Sequence, residues 1–209
     1  MTSRSRLYRG HRFPAEVITQ AIWLYFRFPL SLRMVEEMMA ERGIVVSHET
    51  VRRSMLKFGA TFSAEIRKRQ TAFGDKWSLV VVVIAISGEG HGLWRAVDQH
   101  GVLLDVQVQR RRDARAAARL MRKLLGRQGR APRVMITDKL RSYGAAAKKL
   151  MPGVEHRQHK GLNNRAENSH QPTRQRERVM KGFKSRAQAQ RFLSIHEQVA
   201  NHFRIPADT

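Results

Sequence analysis

Trp77-Ser78-Leu79-Val80-Val81-Val82-Val83-Ile84-Ala85-Ile86 is the stretch on which the fold turns. Its density of β-branched residues predicts a strand, and Ser87-Gly88-Glu89-Gly90 after it predicts a reversal. Gly92 to Asp98 reads as a second strand, Gln99-His100-Gly101 as a second turn, and Val102 to Gln109 as a third strand. The result is a three-stranded antiparallel meander. Asp113 to Leu125 is rich in Ala, Arg and Leu, and Ala117, Leu120, Met121, Leu124 and Leu125 recur at helical spacing. Arg133-Val134-Met135-Ile136-Thr137 is a short apolar strand that ends on a carboxylate, Asp138. Tyr143 to Leu150 reads as a helix and Val154 to Gln158 as a further strand. The rest is helical. Ser185 and Gln188 have capping-box spacing before a last helix with the stripe Ala189, Phe192, Leu193, Val199 and Phe203. Trp77 and Trp94 read as core residues.

Upstream of the meander the period changes to helical. Pro14 suits a first helical position, and Val17, Ile18, Ala21, Ile22, Trp23 and Tyr25 form an apolar stripe that Phe28-Pro29 ends. Ser31 caps a second helix through Glu41, and Gly43 closes it. Ser47 caps a third, His48 to about Phe58, which Gly59 closes. Helix, tight turn and helix after a support helix is the order of a helix-turn-helix, whose last helix offers its N-terminal residues to base edges. Those residues are His48, Glu49, Thr50, Arg52 and Arg53, with Lys57 nearer a phosphate. A plain three-helix bundle uses the same stripe. Ile66 to Gly74, which includes Arg67-Lys68-Arg69, reads as a linker. The expected organisation is a helix-turn-helix region over 1–65, a linker over 66–76, a core over 77–184, and a C-terminal helix and tail over 185–209. The core order, βββαβαβα, is that of an α/β ribonuclease-H-like domain.

The charge points the same way. Among 209 residues there are 40 Lys and Arg against 17 Asp and Glu, a net charge of +23. Such an excess implies a polyanionic partner, with nucleic acid first. Residues 1–75 carry 13 basic and 7 acidic side chains, and residues 76–209 carry 27 and 10. Arg110 to Lys149 holds 14 basic residues and only two acids, Asp113 and Asp138. Hydrophobic residues at 42% suffice for a core, and the absence of cysteine excludes disulfides and thiolate metal sites. The aliphatic run Leu79 to Ile86 is far shorter than the ~20 residues of a membrane helix, and no apolar stretch follows the basic N-terminus as in a signal peptide.

A ribonuclease-H-like fold holds divalent metals with carboxylates on its first strand, its fourth strand and a following helix, because Mg²⁺ prefers oxygen ligands. Asp138 fits the second position, and a helix cap or a salt bridge to Lys139 or Arg141 accounts for it equally. Glu167 fits the third, and Asn164 to Glu167 also has capping-box spacing. Spacing alone leaves both open.

The chain resembles DDE transposases of the insertion-sequence-six family. The resemblance rests on Tyr8-Arg9-Gly10-His11-Arg12-Phe13-Pro14, Ala40-Glu41-Arg42-Gly43, Leu93-Trp94-Arg95-Ala96-Val97-Asp98, Thr137-Asp138-Lys139-Leu140-Arg141-Ser142-Tyr143-Gly144, Val154-Glu155-His156-Arg157-Gln158 and Asn163-Asn164-Arg165-Ala166-Glu167-Asn168-Ser169-His170, and spans about Arg9 to Leu193. It implies a helix-turn-helix that binds terminal inverted repeats of double-stranded DNA. It also implies a core that cuts and joins DNA with two Mg²⁺ or Mn²⁺ ions, Asp138 and Glu167 as the second and third acids, a homodimer or larger assembly to hold two ends, and a bacterial cytoplasmic, nucleoid-associated location.

One position departs from the family. Its first-strand pattern reads Trp-His-Leu-Asp-Glu, whereas this chain has Trp77-Ser78-Leu79-Val80-Val81. Val80 stands where the first Asp is expected, and valine has no ligand atom. If Ile86 and His91 flank the turn, Val80 pairs near Val97 and Asp98 lies beside the vacancy, although one residue of offset puts it on the other face. Asp75 and Asp105 are the other nearby acids. His156 and His159 lack the context of a zinc site, and His170 follows Glu167 by one helical turn. Three functions are thus expected in competition: an active transposase, an inactive relic that still binds the ends, and an RNA-binding basic protein. The last explains the charge but neither the helix-turn-helix nor the Asp138 and Glu167 blocks.

Overall fold

Five strands form one sheet in the order β3-β2-β1-β4-β5, where β1 is Lys76–Ile86, β2 Glu89–Asp98, β3 Leu103–Gln109, β4 Val134–Thr137 and β5 Glu155–Gln158. The computed structural model describes residues 7–68, 74–138, 140–158 and 170–202. β1 is antiparallel to β2, β2 to β3, while β4 runs parallel to β1 and β5 parallel to β4. This is the ribonuclease-H-like arrangement.

The helices are α1 (Ala15–Arg27), α2 (Leu32–Ala40), α3 (His48–Lys68), α4 (Ala114–Gln128), α5 (Arg141–Leu150), α6 (Gln171–Val179) and α7 (Arg186–His202). α4 and α5 cover one sheet face, packing Leu120, Met121, Leu124 and Tyr143 on Trp77, Leu79, Trp94 and Met135. On the other face Val80, Ile84, Leu93, Val97 and Val106 share one core with α7 and with α1 to α3. Both tryptophans are buried.

Local signals hold at the helix starts. Ser31 and Asp113 accept the backbone N–H of Met34 and Ala116 as N-caps, and Ser185 accepts that of Gln188. At Gly43, φ is +72°, and Ile44 N–H to Met39 C=O (3.0 Å) with Gly43 N–H to Ala40 C=O (2.8 Å) make a Schellman ending for α2.

Three expectations need correction. Gly59 does not close the third helix, which continues to Lys68, beyond the point where a linker is expected to open. Gly59 is instead a close-packing site: a Cβ there would lie 2.8 Å from Ile195 Cδ1 of α7. The buried positions continue past it as Ser63 and Ile66, and tertiary burial outweighs the ~1 kcal/mol helix penalty of glycine. Second, the first reversal occupies only Ser87-Gly88, at φ +49° and +82°, so β2 begins at Glu89 rather than Gly92. Third, that shorter turn changes the register: Val80 pairs with Arg95 and Trp77 with Asp98.

β3 is a sheet edge, and α7 closes part of it with amide side chains. Asn201 accepts from Leu103 N–H and donates to Leu103 C=O, both at 2.8 Å. Gln190 accepts from Val108 N–H at 2.8 Å and donates to Val106 C=O at 3.1 Å. Each amide supplies what a neighbouring strand would, so the edge is blunted against pairing.

Candidate functional site

The parallel ladder of β1 and β4 runs from Lys76–Val134 to Leu79–Thr137. Val80 and Asp138 are the next residues after that last pair, Val80 still within β1 and Asp138 where the chain leaves β4. Asp138 is half-buried, and its Oδ1 accepts the Leu140 N–H at 3.0 Å as the chain turns into α5. Thr137 Oγ1 donates to the Asp138 carbonyl at 2.9 Å and lies 2.8 Å from His156 Nε2. Desolvation lowers the His156 pKa from 6.5. It raises the Tyr143 phenol well above 10.0; the Asp138 charge pushes the same way and Arg112 opposes it. Asp138, Tyr143 and Arg112 therefore share one electrostatic neighbourhood.

Val80 is 4% exposed and lies in the apolar core. Across the strand, Arg95 is fully buried and donates from Nη2 to Glu197 Oε2 at 2.8 Å. Glu197 Oε1 accepts from Thr173 Oγ1 at 2.7 Å. The nearest buried carboxylate on this face is thus engaged by α6 and β2.

Asp98 does not stand in for the missing acid. It sits opposite Trp77, three residues from Val80 along the strand and on the other face. Its Oδ1 accepts His100 and Val102 N–H, each at 2.9 Å, and its Oδ2 accepts Gly74 N–H at 3.1 Å. It is a turn anchor. Asp105 is taken by Lys123 and Arg127, and Asp75 by Arg133. Glu167, Lys139 and His159 lie outside the described residues. Among the described residues no three His, Cys, Asp or Glu side chains gather as a metal site. Of the two acids the resemblance implies, Asp138 is the one among the described residues, and a two-ion centre needs oxygen ligands for both ions.

The N-terminus of α3 carries the other candidate residues, each with a protein partner. Ser47 Oγ accepts Thr50 N–H at 3.3 Å and lies 3.0 Å from its hydroxyl. His48 is held by Glu36 of α2, whose Oε2 takes its backbone N–H at 3.1 Å and its Nδ1 at 2.9 Å. That contact fixes how α2 meets α3. Glu49 binds Arg52 through two bonds of 2.8 Å and Arg53 at 3.2 Å. The Arg52 guanidinium holds the Glu49 carboxyl down to about 2. Lys57 Nζ donates to His11 Nε2 at 2.9 Å, beside Phe58, against which Tyr8 packs at 4.8 Å. Thr50, Arg53 and Lys57 line a cavity of about 220 Å³ together with His11 and Arg12. Neither His11 nor Arg12 is singled out by helical periodicity; only their place in the Tyr8–Pro14 block signals them.

Arg176 of α6 is a further residue that periodicity does not reveal. Buried at 2% exposure, it donates from Nη1 to the carbonyls of Phe28 (2.9 Å) and Leu30 (2.7 Å) in the α1–α2 turn. Its guanidinium lies over the rings of Tyr25 (4.5 Å) and Phe192 (5.3 Å). Arg176 thus fastens the N-terminal helices to the helix that follows the Glu167 segment.

Comparison with known proteins shows the family. A family profile described as a DDE domain, of the IS240 transposase type, matches residues 74–205. The transposase for the insertion sequence-like element IS431mec of Staphylococcus aureus is 31% identical over 168 residues, 78% of this chain and 75% of that protein. The transposase for insertion sequence element IS257 in transposon Tn4003, also from Staphylococcus aureus, is 30% identical over the same length. Among solved structures, the catalytic core domain of BIV integrase aligns with a TM-score of 0.45 and 16% identity, over 59% of this chain and 81% of that one. The extent of the profile match and of the similarity to these transposases shows that the chain belongs to the DDE transposase family of insertion sequences.

Proposed function

We propose that this chain recognises the terminal inverted repeats of its element as duplex DNA and no longer transfers strands. The observation that supports the second half is Val80 itself, a buried side chain with no ligand atom, one residue past the last β1–β4 pair, Leu79–Thr137. The family resemblance assigns Mg²⁺ or Mn²⁺ to Asp138, Glu167 and an acid at that strand position. Losing the ligand shared by two ions removes both activation of the nucleophile and stabilisation of the leaving oxygen. Recognition falls to the face of α3 that starts at His48, with Thr50, Arg52 and Arg53 toward base edges and Lys57 toward a phosphate. Holding two ends calls for a homodimer or a larger assembly, in the bacterial cytoplasm at the nucleoid. No helix among the described residues is long and apolar enough to cross a membrane.

The test is purified protein against a duplex that copies the DNA flanking the gene. Binding is expected to weaken steeply with salt, and no strand joining is expected with Mg²⁺ or Mn²⁺. Strand transfer by the unmodified chain would overturn the proposal. The paired variant Val80→Asp, Val81→Glu should gain joining activity, since the first carboxylate of the family pattern is then in place; an inert, folded variant that still binds the ends would place the lesion elsewhere. Stronger competition by structured RNA than by the flanking duplex would favour the RNA-binding reading instead.

A further inference from the structure

Two neighbouring cavities share a wall on α7. The first, about 300 Å³, lies between α3 and α7 and has Arg52 and Arg191 in its lining. The second, about 500 Å³, lies at the β3 edge and is walled by Arg119 of α4, Arg186 of α7 and three glutamines, Gln107, Gln109 and Gln190. Ala187 lines both, so only one small residue separates them. Arg115, one turn before Arg119, is exposed, as are Arg119, Arg186 and Arg191. Arg112, just ahead of α4, belongs to the Tyr143–Asp138 neighbourhood. A line of arginines therefore runs from the recognition helix over the first turns of α7, across the sheet edge and along α4 toward Asp138.

The surroundings define what this line would hold. Neither cavity has an acidic side chain in its wall. The two acids near α4 are occupied: Asp113 as N-cap and Asp105 by Lys123 and Arg127. The β3 backbone is closed by Gln190 and Asn201, so an added strand from a protein partner has little to pair with. The β3-edge cavity has no aromatic ring in its wall, and unpaired bases need such rings to stack on. Planar guanidiniums and amide donors suit phosphate oxygens.

We propose that Arg191, Arg186, Arg119 and Arg115 form a phosphate-binding strip that carries duplex DNA from the recognition helix toward Asp138 without reading its sequence. The strip rests on the DNA-binding reading given above and extends it. It also accounts for the concentration of basic residues in the α4 region.

The experiment compares the full chain with Arg119→Gln/Arg186→Gln/Arg191→Gln and with the matching triple Lys variant. Affinity is measured by fluorescence anisotropy against salt, on the flanking duplex and on a random-sequence duplex of equal length. The Gln variant should lower the slope of log affinity against log salt by about two to three on both duplexes, and the Lys variant should restore it. Thr50→Ala/Arg53→Ala should instead erase the preference for the flanking duplex while leaving much of the random-duplex affinity. An unchanged slope in the Gln variant, a loss confined to one duplex, or a slope that Lys fails to restore would each overturn the strip while the DNA-binding reading stands. Failure of the unmodified chain to bind either duplex at low salt would overturn both.

Discussion

Glu49 engages both arginines that, in the proposed recognition, α3 would offer to DNA. Its carboxylate binds Arg52 and Arg53 together, and with a pKa near 2 it stays ionised at any pH the protein meets in a cell. Acidification therefore does not release them; a phosphate must compete. Glu49→Gln removes that competitor, so binding to any duplex should tighten and the salt slope should steepen by about one to two. Anisotropy titrations check this, and an unchanged slope would mean that neither arginine meets a phosphate. The same substitution removes a negative charge from the first turn of α3, where it favours the helix dipole, and should lower stability slightly. Val80 is the opposite case at this scale. Nothing in its strand suffers from the change, since valine suits a buried central strand better than aspartate. The loss is chemical.

Among the elements, α7 has the widest reach. It touches α1, α3 and the edge of β3, and one of its inward residues is a buried histidine. His196 is 4% exposed, donates Nδ1–H to the Phe26 carbonyl at 2.9 Å and stacks on Phe192 at 5.4 Å. Burial lowers its pKa from 6.5, although the neighbouring Glu197 acts in the opposite direction. The unfolded chain then takes up a proton more readily than the folded one. The stability tied to the neutral ring is fully present above pH 6.5 and is lost as pH falls through the lower, folded value. The thermal midpoint should drop as the solution is acidified below 6.5. His196→Gln, which keeps a donor for Phe26, should show a smaller drop. His156 is shifted the same way and leaves a remainder. An identical pH profile for the variant would remove His196 as the cause.

For the whole molecule, the binding helices and the catalytic sheet are joined by buried charge as well as by apolar contact. Arg176 reaches the α1–α2 turn, and the Arg95–Glu197–Thr173 network links β2, α7 and α6 beneath Val80. Arg95→Met leaves Glu197 buried without its cation and should destabilise the protein by about 3–5 kcal/mol in denaturant unfolding. The double variant Arg95→Met/Glu197→Met should recover much of that, since no charge is then stranded. A single-variant loss below about 1 kcal/mol would mean that water already serves the pair. These buried contacts tie the N-terminal helices to the sheet, so in the proposed recognition a DNA end on α3 would be set relative to the sheet through packed side chains.

Much of this was legible from residue order alone. Caps at Ser31, Ser47 and Ser185, the turn at Gly43, the valine-rich first strand and the carboxylate after the fourth depend on local chemistry, and local chemistry is written in neighbouring residues. The expectation that an acid is missing at Val80 is likewise local, since it rests on the family pattern set beside one strand. Other features were not. Gly59 reads as a stop in one dimension and is a packing site in three, because Ile195 that approaches it lies far along the chain. The two-residue turn at Ser87-Gly88 moved the register by two residues, a choice settled by positive φ angles and cross-strand pairing rather than composition. The partnerships of Arg176, of Arg95 with Glu197, and of Gln190 and Asn201 with the β3 edge join residues dozens of positions apart. The sequence by itself determined most of the elements, the charge and the valine at position 80 of the first strand. Only the tertiary structure decided which acids were already engaged and which arginines line one surface, because burial and pairing depend on distance in space, which periodicity along the chain does not carry.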